Sequence, residues 1–272
     1  MSAYARPRYK HSIVDLKTSS MKMSKMPVEG NSYFNVSRRT FIPHPVPCGA
    51  PTDAMNFAYA MCFGAGHHRA HRTGGLMMRR AGEMFSNAFQ GKLAEVCLHL
   101  FLTRRGVECT VPDFGVYGEG VWDGGDLKAY GKNLSVKSAA FFSNLLLLES
   151  RDYDAFGNYL PNVGKGIPAT FDYCVLVRIS PDAKGLFRRN GLFASNDVSK
   201  DFLAGIVSRE QWTYDIAGFV SREQFVSALR AGNVIPQGAL LNGRMRMDAD
   251  NYYIQAGDMH RADELAGVLM KH

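Results

Sequence analysis

No apolar run in this chain approaches the roughly 20 residues that a membrane-spanning helix requires. Its first residues, MSAYARPRYKHSIVDLK, carry basic side chains but lack the apolar stretch of a secretory leader, so a cytoplasmic location without membrane partners is expected. Cysteine is sparse and odd in number. Cys48, Cys62, Cys97, Cys109 and Cys174 show no CxxC spacing, which argues for free thiols in a reducing compartment. No GxxxxGK[ST] phosphate loop is present, which argues against an ATP-driven helicase or translocase. Acids are nearly missing from residues 1–80: Asp15, Glu29 and Asp53 stand there against twelve Lys and Arg. The excess of positive charge therefore sits in the first third, where it suits a polyanionic ligand.

The remaining composition is that of a folded chain. Apolar residues make up 46% and charged residues 21% of 272 residues, enough to bury a sizeable core in one large domain or two small ones. Three regions are expected: residues 1–75 as a basic N-terminal arm and helical region, 76–180 as a core, and 181–272 as an extension that completes the fold. Residues 1–50 read as a loose arm, with Pro43, Pro45, Pro47 and Pro51 crowding its end. Asp53 is placed to cap a helix beginning near Ala54. Phe85, Phe89, Leu93, Val96 and Leu100 recur at helical spacing and predict a helix over 76–105 that stops at Gly106.

Strand signals follow. VECTV reads as a short strand, and DLKAY and LSVKS as a hairpin turning about Lys132. SNLLLLE is a strand or a helix, and FDYCVLVRI a buried strand. VSREQW and VSREQF both read as Ser-capped helix starts, YYIQ as a strand and HRADELAGVLM as a terminal helix. The pattern predicts an α/β (α+β) fold with a central mixed β-sheet flanked by helices.

The hairpin carries the chemistry. Folded about Lys132, it sets Asp126 opposite Ser138 and beside Lys137. A carboxylate and an ammonium at one end of a sheet suit metal-assisted phosphodiester hydrolysis. The acid holds Mg2+ against the phosphate, and the amine orients water and offsets transition-state charge. One carboxylate is a weak magnesium site. Glu95 on the long helix, Glu149 at the end of SNLLLLE and the carbonyl of Val136 are the further oxygen candidates. Asp123 competes with Asp126.

The order of these parts resembles the PD-(D/E)xK nuclease superfamily over about residues 83–180, most closely type II restriction endonucleases. The resemblance sets Asp126 as the first acid, Ser135-Val136-Lys137 as the (D/E)xK triplet and Glu95 as the helix acid. Two departures stand out: Gly125 replaces the Pro, and Ser135 replaces the acid of the triplet, a loss that Glu149 is placed to supply. The resemblance implies that residues 76–180 form a restriction-endonuclease-like catalytic core, that 1–75 contact DNA and that 181–272 add specificity contacts; it further implies Mg2+, double-stranded DNA as substrate, a homodimer and a DNA methyltransferase as genetic partner. A phage recombination, repair or junction-cleaving nuclease, or a DNA-binding protein with a decayed centre, remains open.

Other clusters have blander roles beside their functional ones. Arg38, Arg39, Arg69, Arg72, Arg79, Arg80, Arg188, Arg189, Arg244 and Arg246 are candidate DNA contacts, although a solvated surface is the common role of any one. Cys62, His67, His68 and His71 hold zinc-ligand chemistry without a standard zinc spacing. Tyr153, Tyr159, Tyr252 and Tyr253 suit base stacking or core packing. Cys109 lies on a predicted buried strand with no histidine nearby in sequence.

Overall fold

The structure is a computed structural model and describes residues 23–64, 80–116 and 126–271. Strands β1 (Val28–Glu29), β2 (Ser32–Tyr33) and β3 (His44–Pro45) precede helices α1 (Ala50–Phe63) and α2 (Ala81–Thr103). Next come β4 (Leu127–Ala129), β5 (Lys132–Ala140), β6 (Leu145–Glu149) and β7 (Tyr173–Ser180). The chain continues through α3 (Ala183–Arg189), α4 (Lys200–Ser208), β8 (Thr213–Ser221) and α5 (Arg222–Arg230). It closes with β9 (Val234–Ile235), β10 (Leu240–Leu241), β11 (Met245–Arg246), β12 (Asn251–Gln255) and α6 (Ala262–Leu269).

The central sheet has the order β3-β8-β7-β5-β4. Strands β5 and β7 run parallel and the other pairs are antiparallel, so the predicted mixed sheet is present. Strand β7 is central and apolar on both sides. Val175, Val177 and Ile179 enter one core, while Cys174 and Leu176 enter a second. A strand buried on both faces needs such a continuous run. Helix α2 covers the first face through Phe85, Phe89, Leu93, Leu98 and Leu102. The second face is covered by α5 and by the sheet β6-β12-β9, through Phe225, Leu146, Leu148 and Ile254.

Several expectations are corrected. Residues from Met23 to Gly49 are not a loose arm. Strand β2 pairs in parallel with β10, and Gln255 Oε1 accepts the N–H groups of Val36 and Ser37 at 2.8 and 3.0 Å. Helix α1 starts at Ala50, so Asp53 lies in its first turn rather than at its cap. Ser208 ends α4 and starts no helix, whereas Ser221 does cap α5 in a full capping box with Gln224. VECTV contributes only a single bridge, from Cys109 to Ala129.

The largest revision is to the hairpin. Its turn is Tyr130-Gly131, with φ of 45° and 76°, the two positive values that a tight two-residue hairpin turn uses. Leu127 therefore pairs with Leu134, and Asp126 falls beside Ser135 rather than opposite Ser138. Among the described residues, no helix is long and apolar enough to cross a membrane.

Candidate active site

Asp126 stands immediately before β4, at the edge of the sheet. Its Oδ2 accepts a hydrogen bond from the Val136 backbone N–H at 2.6 Å, and the Ser135 hydroxyl approaches the same oxygen at 3.4 Å. Among the described residues, no hydrogen bond reaches Oδ1. The N–H and C=O of one strand residue point to the same edge. The Val136 carbonyl is thus directed to the edge where Asp126 sits.

Lys137 lies on the same face. Along β5, Leu134 and Val136 pack into the α2-side core, and Ala139 packs into the opposite one. Alternation sets Ser135 and Lys137 with Ala139. Lys137 is paired to Leu176, which shares that second core. Its Nζ is 5.9 Å from the ring centroid of Tyr159. Tyr153 packs against Tyr159 with ring centroids 5.4 Å apart and planes tilted by 50°, and is 7% exposed.

The electrostatics tie these groups together. The Lys137 ammonium is held above the ordinary lysine range. Tyr153 is the largest cause, burial opposes it, and Asp126, Cys174 and Tyr159 add to it. Tyr153 is itself pushed above the ordinary tyrosine range by burial, against the pull of the Lys137 charge. At neutral pH its phenol is therefore uncharged, and its charge acts on Lys137 only in strongly alkaline solution. Burial pushes the Cys174 thiol up to about 12, so it stays protonated beside them.

The donors at this edge are hard oxygens: the Asp126 carboxylate, the Val136 carbonyl and the Ser135 hydroxyl. Among the described residues, no group of three His, Cys, Asp or Glu is arranged to hold a metal ion. That set is too thin for calcium or zinc but fits Mg2+, which keeps several waters and needs only one or two carboxylates.

The remaining acid candidates are placed differently. Glu95 sits on α2, the helix layer on the opposite face from Lys137, and its carboxylate meets Lys92 Nζ at 2.6 Å. That ammonium lies 4.7 Å from the Phe57 ring centroid and 5.8 Å from that of Phe114. Glu149 ends β6, opposite Asn251. Alternation groups it with Leu145 and Leu147, which belong to a third cluster, and not with Leu146 and Leu148 on the Tyr153 side. The Asp126, Ser135, Val136 and Lys137 candidates are thus brought together, and Glu95 and Glu149 lie on other layers.

The arginines also divide. Arg39 is committed internally: its guanidinium donates to the carbonyls of Ala217, Met259 and His260. Arg38, Arg80, Arg188, Arg189, Arg244 and Arg246 are exposed. Of these, Arg38 Nε donates to Asn35 O, Arg80 to Ala194 O, and Arg188 lies over the Phe193 ring. Arg69, Arg72, Arg79, His67, His68, His71 and Asp123 lie outside the described residues. Cys62 and Cys109 are half-buried thiols that burial raises to about 12 and about 11, the opposite of an activated nucleophile.

Sequence reasoning placed Tyr153 and Tyr159 only as stacking or packing residues and left Cys174 as a buried thiol. No spacing signal links them to Lys137, because the contact arises when the layer after β6 folds onto the sheet. Neither a family model, nor a curated protein, nor a solved structure matches the chain.

Proposed function

We propose that this protein is a Mg2+-dependent endodeoxyribonuclease that hydrolyses phosphodiester bonds of double-stranded DNA, in the manner of a type II restriction enzyme. The observation that carries the reading is that Asp126, just before β4, is hydrogen-bonded to β5 one residue from Lys137, at the sheet edge that β4 leaves open. The succession α2, the Cys109 bridge, β4, β5 and β7 supports a restriction-endonuclease-like core. Exposed arginines and the basic first third supply the charge that a phosphate backbone needs.

In this reading Asp126 and the Val136 carbonyl hold Mg2+, with Ser135 beside them. The ion, when bound, lowers the pKa of water and neutralises phosphate charge. Asp126 is anchored for that role, since the Val136 N–H fixes one of its oxygens. Lys137 stays an ammonium through neutral pH, so it does not abstract a proton. It orients the attacking water by donating to it and balances charge that grows on the phosphate oxygens. A homodimer acting on a palindromic site, and a cognate methyltransferase, belong to the same proposal.

Ser135 in the acid's place favours a second reading, a DNA-binding protein whose centre has decayed. A branch- or end-specific nuclease of the same superfamily is the other alternative. Incubating plasmid DNA with the protein, with and without Mg2+, separates them. Discrete, Mg2+-dependent fragments support restriction, and cutting only at branches or ends supports the third reading. Retention of DNA on a gel without cutting supports the second.

A further inference from the structure

The chain turns from β5 toward β6 on two phenylalanines. The Ser143 N–H donates to the Ala140 carbonyl at 2.8 Å, which closes a four-residue turn with Phe141 and Phe142 at its two central positions. Such positions are ordinarily filled by Gly, Pro, Asn, Asp or Ser. Burial does not account for the two rings either, since Phe142 is 59% and Phe141 38% exposed.

The rings are held from behind. Phe142 meets Phe141 edge-on with centroids 5.2 Å apart, and Phe141 meets Phe41 edge-on at 5.9 Å. Phe41 lies 5.5 Å from the guanidinium of Arg178. That fully buried arginine donates to the carbonyls of Thr40 and Ser143, one from each end of the ladder. Asn144 Oδ1 accepts the Arg39 N–H at 2.7 Å, and Asn35 Nδ2 donates to the Asn144 carbonyl at 2.8 Å. Residues 35–41 are thereby tied along the turn, which brings exposed Val36, Arg38 and Ile42 to the same end of the sheet. Arg38 Nε donates to Asn35 O, and among the described residues no ion pair occupies the rest of its guanidinium. The neighbouring carboxylates face inward, Asp215 onto Arg178 and Asp258 onto the hydroxyls of Ser24 and Ser37.

We propose that Phe142, backed by Phe141 and Phe41, is a stacking platform for an unpaired DNA base, with Arg38 on the adjoining phosphate. A flat ring takes any base on its π face, and a cation beside it holds the backbone. Exposed rings next to an unpaired arginine, in the most basic third of the chain, match a polyanion that carries flat bases better than an apolar protein surface. The platform rests on the DNA part of the proposed function and not on cleavage. It names the form of DNA that is gripped there, a stretch with unpaired bases.

The test is binding by the full chain in chelator, read as the anisotropy of labelled oligothymidylate and of a blunt duplex of equal length. Phe142→Ala is expected to weaken binding of the single strand about ten- to a hundredfold and to leave the duplex unchanged. Its salt dependence stays that of the parent, whereas Arg38→Gln lowers the slope by about one phosphate contact. Phe142→Trp keeps the affinity of the parent, and its added emission is quenched as the strand binds. Parent-like affinity of a folded Phe142→Ala for the single strand, or unquenched emission from Phe142→Trp, overturns the proposal. So does a parent dimer that Phe142→Ala dissociates in sedimentation without loss of single-strand binding, which assigns the rings to a second copy of this chain. A parent that binds no DNA even at low salt overturns the platform and the DNA reading together. A parent that grips the single strand through Phe142 yet never cuts DNA with Mg2+ upholds the platform and rejects the nuclease reading.

Discussion

The Asp126 carboxylate accepts a 2.6 Å hydrogen bond from the Val136 backbone N–H, across the gap where β4 has not yet begun. That bond sets the acid at the sheet edge. Asp126→Asn keeps an acceptor oxygen and is expected to fold normally while losing Mg2+-dependent cleavage. Asp126→Ala leaves the N–H without its charged partner and is expected to cost about 1.5–3 kcal/mol in urea unfolding. Equal stability of the two variants would contradict the role of the bond.

Lys137 sits among Leu176, Tyr153 and Cys174 rather than in open solvent. Lys137→Met fills the same volume without a charge. It is expected to be as stable as the parent or more so, because burying the ammonium opposes folding. Cleavage is expected to fall by about two to three orders of magnitude. A thermal midpoint well below that of the parent would show that Lys137 serves the fold instead.

The alkaline limb of stability follows from the buried thiols. Cys97 and Cys174 are fully buried, and both are raised by desolvation, Cys174 from 9.0 to about 12. A group whose folded pKa is raised contributes stability that is whole below its unfolded pKa and is lost as pH climbs toward the folded value. Unfolding free energy is expected to drop from about pH 9 upward, by on the order of 2 kcal/mol per thiol at about pH 11. Cys174→Ala and Cys97→Ala are expected to flatten that slope, measured by urea titration at several pH values.

How much of this was readable beforehand depends on whether the deciding contact is local. Phe85, Phe89 and Leu93 of the α2 stripe, the apolar run of β7 and the Ser221-Gln224 capping box are set by neighbours within a few residues and stand where their patterns put them. Val96 and Leu100, by contrast, are half-buried, and Cys97, Leu98, Phe101 and Leu102 take the inner face of the later turns. The hairpin register was not readable, because a tyrosine at positive φ gives no turn signal and Tyr130 takes that place. The order of residues 23–49 was hidden for a different reason. Its partners, Gln255, β10 and the carbonyls bound by Arg39, are some two hundred residues away. Glu149 is twelve residues from Lys137 in sequence, but strand alternation puts it on another side of β6.

One such long-range contact has a large expected cost. Arg178 is fully buried and bridges Asp215, the carbonyls of Arg39, Thr40 and Ser143, and Asn144. Asp215→Ala leaves that guanidinium uncompensated and is expected to destabilise the protein by about 3–5 kcal/mol in urea. Release of residues 39–42, seen as new proteolysis there, should accompany it. An unchanged urea midpoint would deny this pair its place as the anchor of the segment.

The most direct measurement of the central claim is cleavage of supercoiled plasmid by the parent, Asp126→Ala and Lys137→Ala proteins, each shown folded by circular dichroism, with Mg2+ and with chelator. The account predicts discrete fragments from the parent with Mg2+ alone and none from either variant. Equal cutting by all three proteins, or cutting that survives chelation, would contradict it.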